Sequence, residues 1–162
     1  FHSLSCFYAS PECMEQFFAR LTWLSSKQVL DIEGLGESGW RTLWQAHHFE
    51  HLFSWLLLTQ AQMQATPGFS SARGLALWHR FNLVREKPFI RWLMALGVPL
   101  TQASLKAMGN VTWQTLSERN AKDWQSLPGT GERKARQIVA FIHDPGVAGL
   151  ASWLGKQGLP GF

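Results

Sequence analysis

Residues 127–138 read LPGTGERKARQI, and that short stretch gathers the ingredients of an anion site. Gly129 and Gly131 flank Thr130, so the chain can turn tightly and bring backbone amides to the surface. From Glu132 onward the composition is helical, and the positive end of a helix favours an anion. Arg133, Lys134 and Arg136 add three cations beside it. The chemistry implied is the holding of a phosphate. A plainer reading has the glycines merely joining two core helices, with the cations as a solvated face, because a short motif on its own matches by chance often enough.

Repetition favours the first reading. Similar phrases recur upstream at spacings of roughly 30 residues, as expected for a repeated structural unit. Ile32, Gly34, Leu35 and Gly36 form one copy, with Trp40 and Leu43 at the later small and aliphatic positions. Gly68, Phe69 and Ser70 form a second, followed by Ser71, Arg73, Gly74 and Leu77. A degenerate third runs through Leu96, Gly97, Val98, Pro99, Leu100 and Thr101 to Ala103 and Leu105, without a glycine pair. The run at 127–138 resembles the helix-hairpin-helix motif of DNA repair proteins, with Leu127, Gly129, Gly131, Ala135 and Ile138 in register and Thr130 where an apolar residue is usual. The expected fold is therefore all-α, a tandem helix-hairpin-helix array of about four hairpins built from short helices.

The order of the phrases narrows the resemblance. DIEGLG at 31–36, PGFSSARGL at 67–75 and FIRWLMALGV at 89–98 together are similar to the carboxy-terminal region of bacterial NAD-dependent DNA ligases, and the likeness covers almost the whole chain. Cys6 and Cys13 are the only cysteines, where the common form carries a four-cysteine zinc module. About 20 residues follow Ile142, too few for the BRCT domain that closes that form. Both departures suit the shorter B type. The resemblance implies a segment that grips nicked double-stranded DNA by its backbone, with NAD, the adenylating lysine and the sealing chemistry in upstream catalytic domains of the same chain. It implies a zinc-module remnant and leading helix over 1–30, the DNA-binding array over 31–144, and a C-terminal helix and tail over 145–162. Its DNA-binding residues would be Gly129, Thr130, Gly131, Arg133 and Lys134 in the fourth hairpin, Gly68, Ser70, Ser71 and Arg73 in the second, and Gly34 and Gly36 in the first. Glu33 and Glu37 beside the first pair oppose an anion there. The alternative readings place the hairpins in the tail of a repair nuclease or a branch-binding subunit, or make them a helical protein-interaction module.

Charge and composition fit a phosphate partner. Residues 1–81 hold five Lys/Arg against six Asp/Glu, and residues 82–162 hold ten against five, so basic charge concentrates in the half with the best hairpin. The chain begins at Phe1 without methionine, which reads as part of something longer. The densest apolar segment, 49–58, is broken by Glu50, His51 and Ser54, and neither a signal peptide nor a membrane span is recognised. A soluble, cytoplasmic, monomeric protein without membrane contact is expected. Nine tryptophans fall singly in helical patterns, a spacing suited to core packing rather than to a base-stacking platform.

The elements that must position these residues read as helices over 12–24, 70–81, 88–96, 132–142 and 147–154, each with apolar residues at helical spacing. No stretch alternates like a strand. A weak seam lies at 82–87, and 155–162 reads as a tail. No Lys-x-Asp-Gly phrase and no carboxylate pair for two-metal chemistry is found, so no catalysis is expected from this chain. Cys6 and Cys13, six residues apart with His2 the only nearby imidazole, are too far apart for a zinc knuckle; the resemblance makes them the possible relic of a zinc site. Zinc and a disulfide are both disfavoured, and two free thiols are the expectation. His47, His48 and His51 sit at near-helical spacing and read as surface residues.

Overall fold

The computed structural model describes residues 6–162 apart from the side chain of Gln102. His2, offered above as a neighbour of the cysteines, lies outside the described residues. Ten α-helices and two short 3-10 helices make up the described chain, with one isolated antiparallel bridge between Tyr8 and His51. The fold is all-α among these residues. Backbone packing divides the chain into two compact units, residues 1–87 and 88–162. The division falls at the end of the seam at 82–87 and passes through the span expected for the array.

In the first unit α1 (Met14–Ser25), α2 (Glu37–His47), α3 (Gln60–Gln64) and α4 (Ser71–Leu83) follow one another, with 3-10 turns at Ser54–Leu57 and Val84–Glu86. The helix expected from Glu12 starts at Met14, after Cys13. Cys13 is bonded to Cys6, with the two Cα atoms 5.2 Å apart, which corrects the expectation of free thiols. The two cysteines are buried, and the segment between them is tied to the body by Leu52 N–H to Phe7 O (3.0 Å) and Ala9 N–H to Glu50 O (2.8 Å). These long-range ties bring the two sulfurs together, and no local spacing announces them.

α1 and α2 pack together, as do α3 and α4. Between them sits an aromatic core around Trp40, which is wholly buried, lies parallel to Phe81 at 5.9 Å and meets Trp55 edge-on at 5.6 Å. Its indole N–H donates to Ser25 Oγ (3.2 Å), which lies 3.2 Å from Leu35 O. A large ring thus fills the position where the repeated phrase has a small residue. The close approach is made instead at Gly39 and Gly74, both buried. A Cβ on Gly74 would come within 2.6 Å of the Met63 carbonyl carbon and 2.9 Å of Gln64 Cα, so α3 and α4 touch backbone to backbone.

The histidines separate. α2 ends where His48 turns left-handed at φ 47°, so His47 and His51 do not share a helix. His47 Nε2 pairs with Thr66 Oγ1 at 2.8 Å, whereas His51 is buried and its Nδ1 accepts the Phe53 N–H at 3.1 Å. His51 therefore departs from the expected surface position. Burial pushes its imidazole down from 6.5 to about 4, because a proton on the ring would be desolvated and a proton on Nδ1 would displace the Phe53 bond. An unfolded chain binds that proton near pH 6.5 and the folded one only near 4, so the stabilisation is complete above 6.5 and is lost as pH falls toward 4. The expected loss is about 2–3 kcal/mol, allowing for partial solvent screening. Thermal melting at neutral pH and at pH 4.5 should therefore diverge more in the parent than in His51→Asn, which keeps an acceptor but no titrating ring; equal divergence would refute the assignment.

The second unit contains α5 (Phe89–Leu96), α6 (Gln102–Ala107), α7 (Trp113–Glu118), α8 (Ala121–Gln125), α9 (Glu132–His143) and α10 (Pro145–Lys156). α9 packs against α7, α8 and α10, and Trp92, Trp124, Leu105, Leu116, Ile138, Leu150 and Leu154 are buried. Asp144 caps α10 through the amides of Gly146 and Val147 at 3.0 and 3.2 Å, so that helix begins at Pro145, two residues earlier than expected. The stretch read as a tail is packed instead. Leu159 is buried, Gly161 O accepts the Trp113 N–H at 2.7 Å, and the Phe162 ring lies 4.8 Å from Phe89 and 6.0 Å from Trp113. Trp40, Trp55, Trp92 and Trp124 are wholly buried, as expected of core tryptophans, whereas Trp44, Trp78, Trp113 and Trp153 are half-buried and Trp23 is exposed, against that expectation. Among the described residues no single helix is long and apolar enough to cross a membrane.

Candidate nucleic-acid interface

Three of the glycine phrases fold into one recurring junction. In each, a glycine at positive φ precedes by two residues an extended N-cap, from which a helix starts. Gly34 (φ 79°) leads to Gly36 and α2, Gly68 (φ 94°) to Ser70 and α4, and Gly129 (φ 78°) to Gly131 and α9. The first glycine is required by its left-handed backbone, which costs other residues about 1–2 kcal/mol. The second is not. Gly131 has φ −86° and ψ −179° and Gly36 φ −107° and ψ −165°, extended conformations open to any residue. The need for positive φ therefore belongs to Gly129 and not to Gly131.

Gly36 and Gly131, like Cys13 of α1 and Pro88 of α5, cap their helices without a side-chain hydrogen bond. Thr59, Ser70, Thr101, Thr112, Asn120 and Asp144 all cap their helices through a side-chain oxygen. Gly36 and Gly131 have none to offer, and a Cβ on either would meet nothing within 4 Å. Serine or aspartate would serve the fold as well or better there. Glycine at these sites leaves the amides of the first helical turn bare and approachable. At the fourth junction these are the amides of residues 131–134, since the first intrahelical bond runs from Ala135 N–H to Gly131 O at 2.9 Å.

Side chains distinguish the junctions further. At the fourth, Thr130 is half-buried and its N–H donates to Leu127 O at 3.2 Å. Arg133 is exposed and Lys134 half-exposed beside the bare amides. Arg136 reaches Glu132 at 3.9 Å, which offsets the acidic residue of the first turn. In the second junction the candidates have structural partners: Ser70 Oγ accepts the Arg73 N–H at 3.1 Å, and Ser71 Oγ accepts from Gln64 at 3.1 Å. A Cβ on Gly68 would lie 3.1 Å from Thr42 Cγ2, so that turn is closed on one side. Arg73 is directed to the first junction, donating to Gly34 O at 3.1 Å. In the first junction Glu37 is paired with Arg41, which also holds Glu15, at 3.0 and 2.9 Å; these carboxylates raise the Arg41 pKa. The acidic character near Gly36 is thereby partly neutralised. The degenerate third phrase ends α5 at Gly97 (φ 88°) and starts α6 at Thr101, four residues later, a longer connection than the other three.

No protein-family model matches the chain. By unit, residues 1–87 hold seven Lys/Arg and seven Asp/Glu, whereas 88–162 hold eight and four. The second unit, with the open fourth junction, carries the whole net charge of +4. Among the described residues no cluster of three or more His, Cys, Asp or Glu could hold a metal ion. Sequence reasoning missed Arg80, whose Nη1 donates to Glu33 O at 2.7 Å. A signal for it was present: Arg80 follows Arg73 by seven residues, two turns along one helix face.

Proposed function

We propose that this chain binds double-stranded, nicked DNA through its phosphate backbone, without reading base sequence, as a tandem helix-hairpin-helix array. In this reading it is the DNA-gripping part of an NAD-dependent DNA ligase of the shorter B type. NAD and the adenylating chemistry belong to upstream domains of a cytoplasmic, monomeric parent that functions in DNA repair and replication. The observation that carries the reading is the glycine N-cap of the fourth junction. Its amides lack a capping side chain, its backbone has no need of glycine, and Arg133 and Lys134 stand beside it. Bare amides orient a phosphate and cations neutralise it with release of counterions. The open junction lies in the unit with net positive charge, which adds long-range attraction.

Lys134→Ala tests the reading. Lys134 forms no ion pair among the described residues, so its loss should leave thermal melting unchanged. Affinity should fall similarly for all duplex sequences, and the slope of log affinity against log salt should become shallower by about one. A parent chain with no salt-sensitive binding to nicked duplex would instead favour a helical protein-interaction module, in which the junctions only pack.

A further inference from the structure

We propose that Arg73 and Arg80 are positioning residues of the first junction, setting the orientation of its peptide groups for a phosphate rather than touching the phosphate themselves; this rests on the phosphate-binding reading above. The two guanidinium groups take consecutive carbonyls of the turn. Arg80 Nη1 donates to Glu33 O at 2.7 Å, and Arg73 Nη2 donates to Gly34 O at 3.1 Å. In a planar trans peptide the N–H of the following residue points opposite to the carbonyl. Holding both carbonyls toward α4 therefore aims the amides of Gly34 and Leu35 away from it. A turn free to rotate these peptides could offer an anion either its carbonyls or its amides. With the carbonyls held, only the amides remain on the other side.

Arg73 is itself fixed from three directions. Its N–H is capped by Ser70 Oγ at 3.1 Å, its guanidinium lies 4.3 Å from the centre of the Phe69 ring, and its Nη2 is on Gly34 O. Phe69 and Ser70 belong to the second junction, so Arg73 transmits the geometry of the second turn to the first. Gly34 has a second reason to be glycine besides its φ of 79°. A Cβ there would lie 2.9 Å from Arg80 Nη1, displacing the hydrogen bond to Glu33 O. A planar, forked donor suits this task, and lysine does not reproduce it.

The test is titration of a labelled nicked duplex oligonucleotide with the whole chain, over a series of salt concentrations, for the parent, Arg73→Ala, Arg73→Lys, Arg80→Ala and Lys134→Ala. Loss of a positioning hydrogen bond should weaken binding about fivefold, with the salt slope retained because no phosphate contact disappears. Arg73→Lys should fall with Arg73→Ala although it keeps its charge. Lys134→Ala supplies the contact-type signature in the same titration. A slope shallower by about 0.9 in the Arg73 or Arg80 variants, or full rescue by Arg73→Lys, makes these residues direct contacts and overturns the inference. Parent-like affinity in Arg73→Ala and Arg80→Ala overturns it as well while leaving the phosphate reading intact. Absence of DNA binding by the parent overturns both.

Discussion

Gly131→Thr is expected to weaken binding to nicked duplex DNA by about tenfold or more while leaving the protein as stable as the parent. Gly131 is extended and a Cβ there finds open space, so threonine fits without strain, and threonine caps helices about as well as glycine. Its hydroxyl would accept a hydrogen bond from one of the amides meant for the phosphate, and its methyl group would stand in the line of approach. Losing one charge-assisted bond costs about 1.5–3 kcal/mol, which sets the expected tenfold. Gly129→Ala provides the contrast: a left-handed φ of 78° should lower stability by about 1–2 kcal/mol. Affinity and melting temperature measured on both variants decide the matter. Unchanged affinity in Gly131→Thr would mean that the fourth junction is a packing turn.

Gly74→Leu is expected to have the largest effect on stability. The α3–α4 crossing leaves no room for a side chain, since even a Cβ would be 2.6 Å from one backbone carbon of α3 and 2.9 Å from another. Backbone cannot step aside as a flexible side chain can. Overpacking of this kind costs about 1–3 kcal/mol or more, only partly offset by the better helix propensity of leucine. Each kcal/mol lowers Tm by about 2–4 °C in a chain of this length. Because α4 carries Arg73, Arg80 and the second junction, the same substitution should also weaken DNA binding. Circular dichroism melting provides the measurement, and a Tm equal to the parent's would refute the backbone contact.

The longer helices were legible in the sequence because apolar periodicity and caps agree locally, whereas α3, α6, α7 and α8, of five or six residues each, are too short to show a period and were not read. α4 and α9 begin within a residue of expectation, because Ser70 and Gly131 mark their starts and Gly74 or Ala135 follows at the packing position. What was not legible depended on partners distant in sequence. The cysteines meet because the segment between them is bonded to Leu52 and Glu50. The terminal stretch packs because Phe162 finds Phe89 and Trp113. His51 is buried because α2 stops at a left-handed His48. The candidate site divided along the same line. The glycines identified their turns from composition alone, but the destination of Arg73 lies 39 residues upstream of it, and no local pattern specifies that.

The hold on the first turn also distinguishes it from the fourth in how much of its backbone is fixed by folding alone. Glu33 O, Gly34 O and Leu35 O are each engaged, by Arg80, Arg73 and Ser25, whereas the fourth turn is crossed by the single backbone bond from Thr130 to Leu127. Fixing a backbone residue costs about 1–2 kcal/mol of entropy. If the proposed grip holds, the ordering of the first turn is complete once the unit has folded, and more of the fourth turn's ordering is left for the ligand to supply. On that reading the first turn would serve as a template of fixed shape and the fourth as a more yielding clasp. DNA should therefore slow amide hydrogen exchange at residues 129–132 far more than at 34–36.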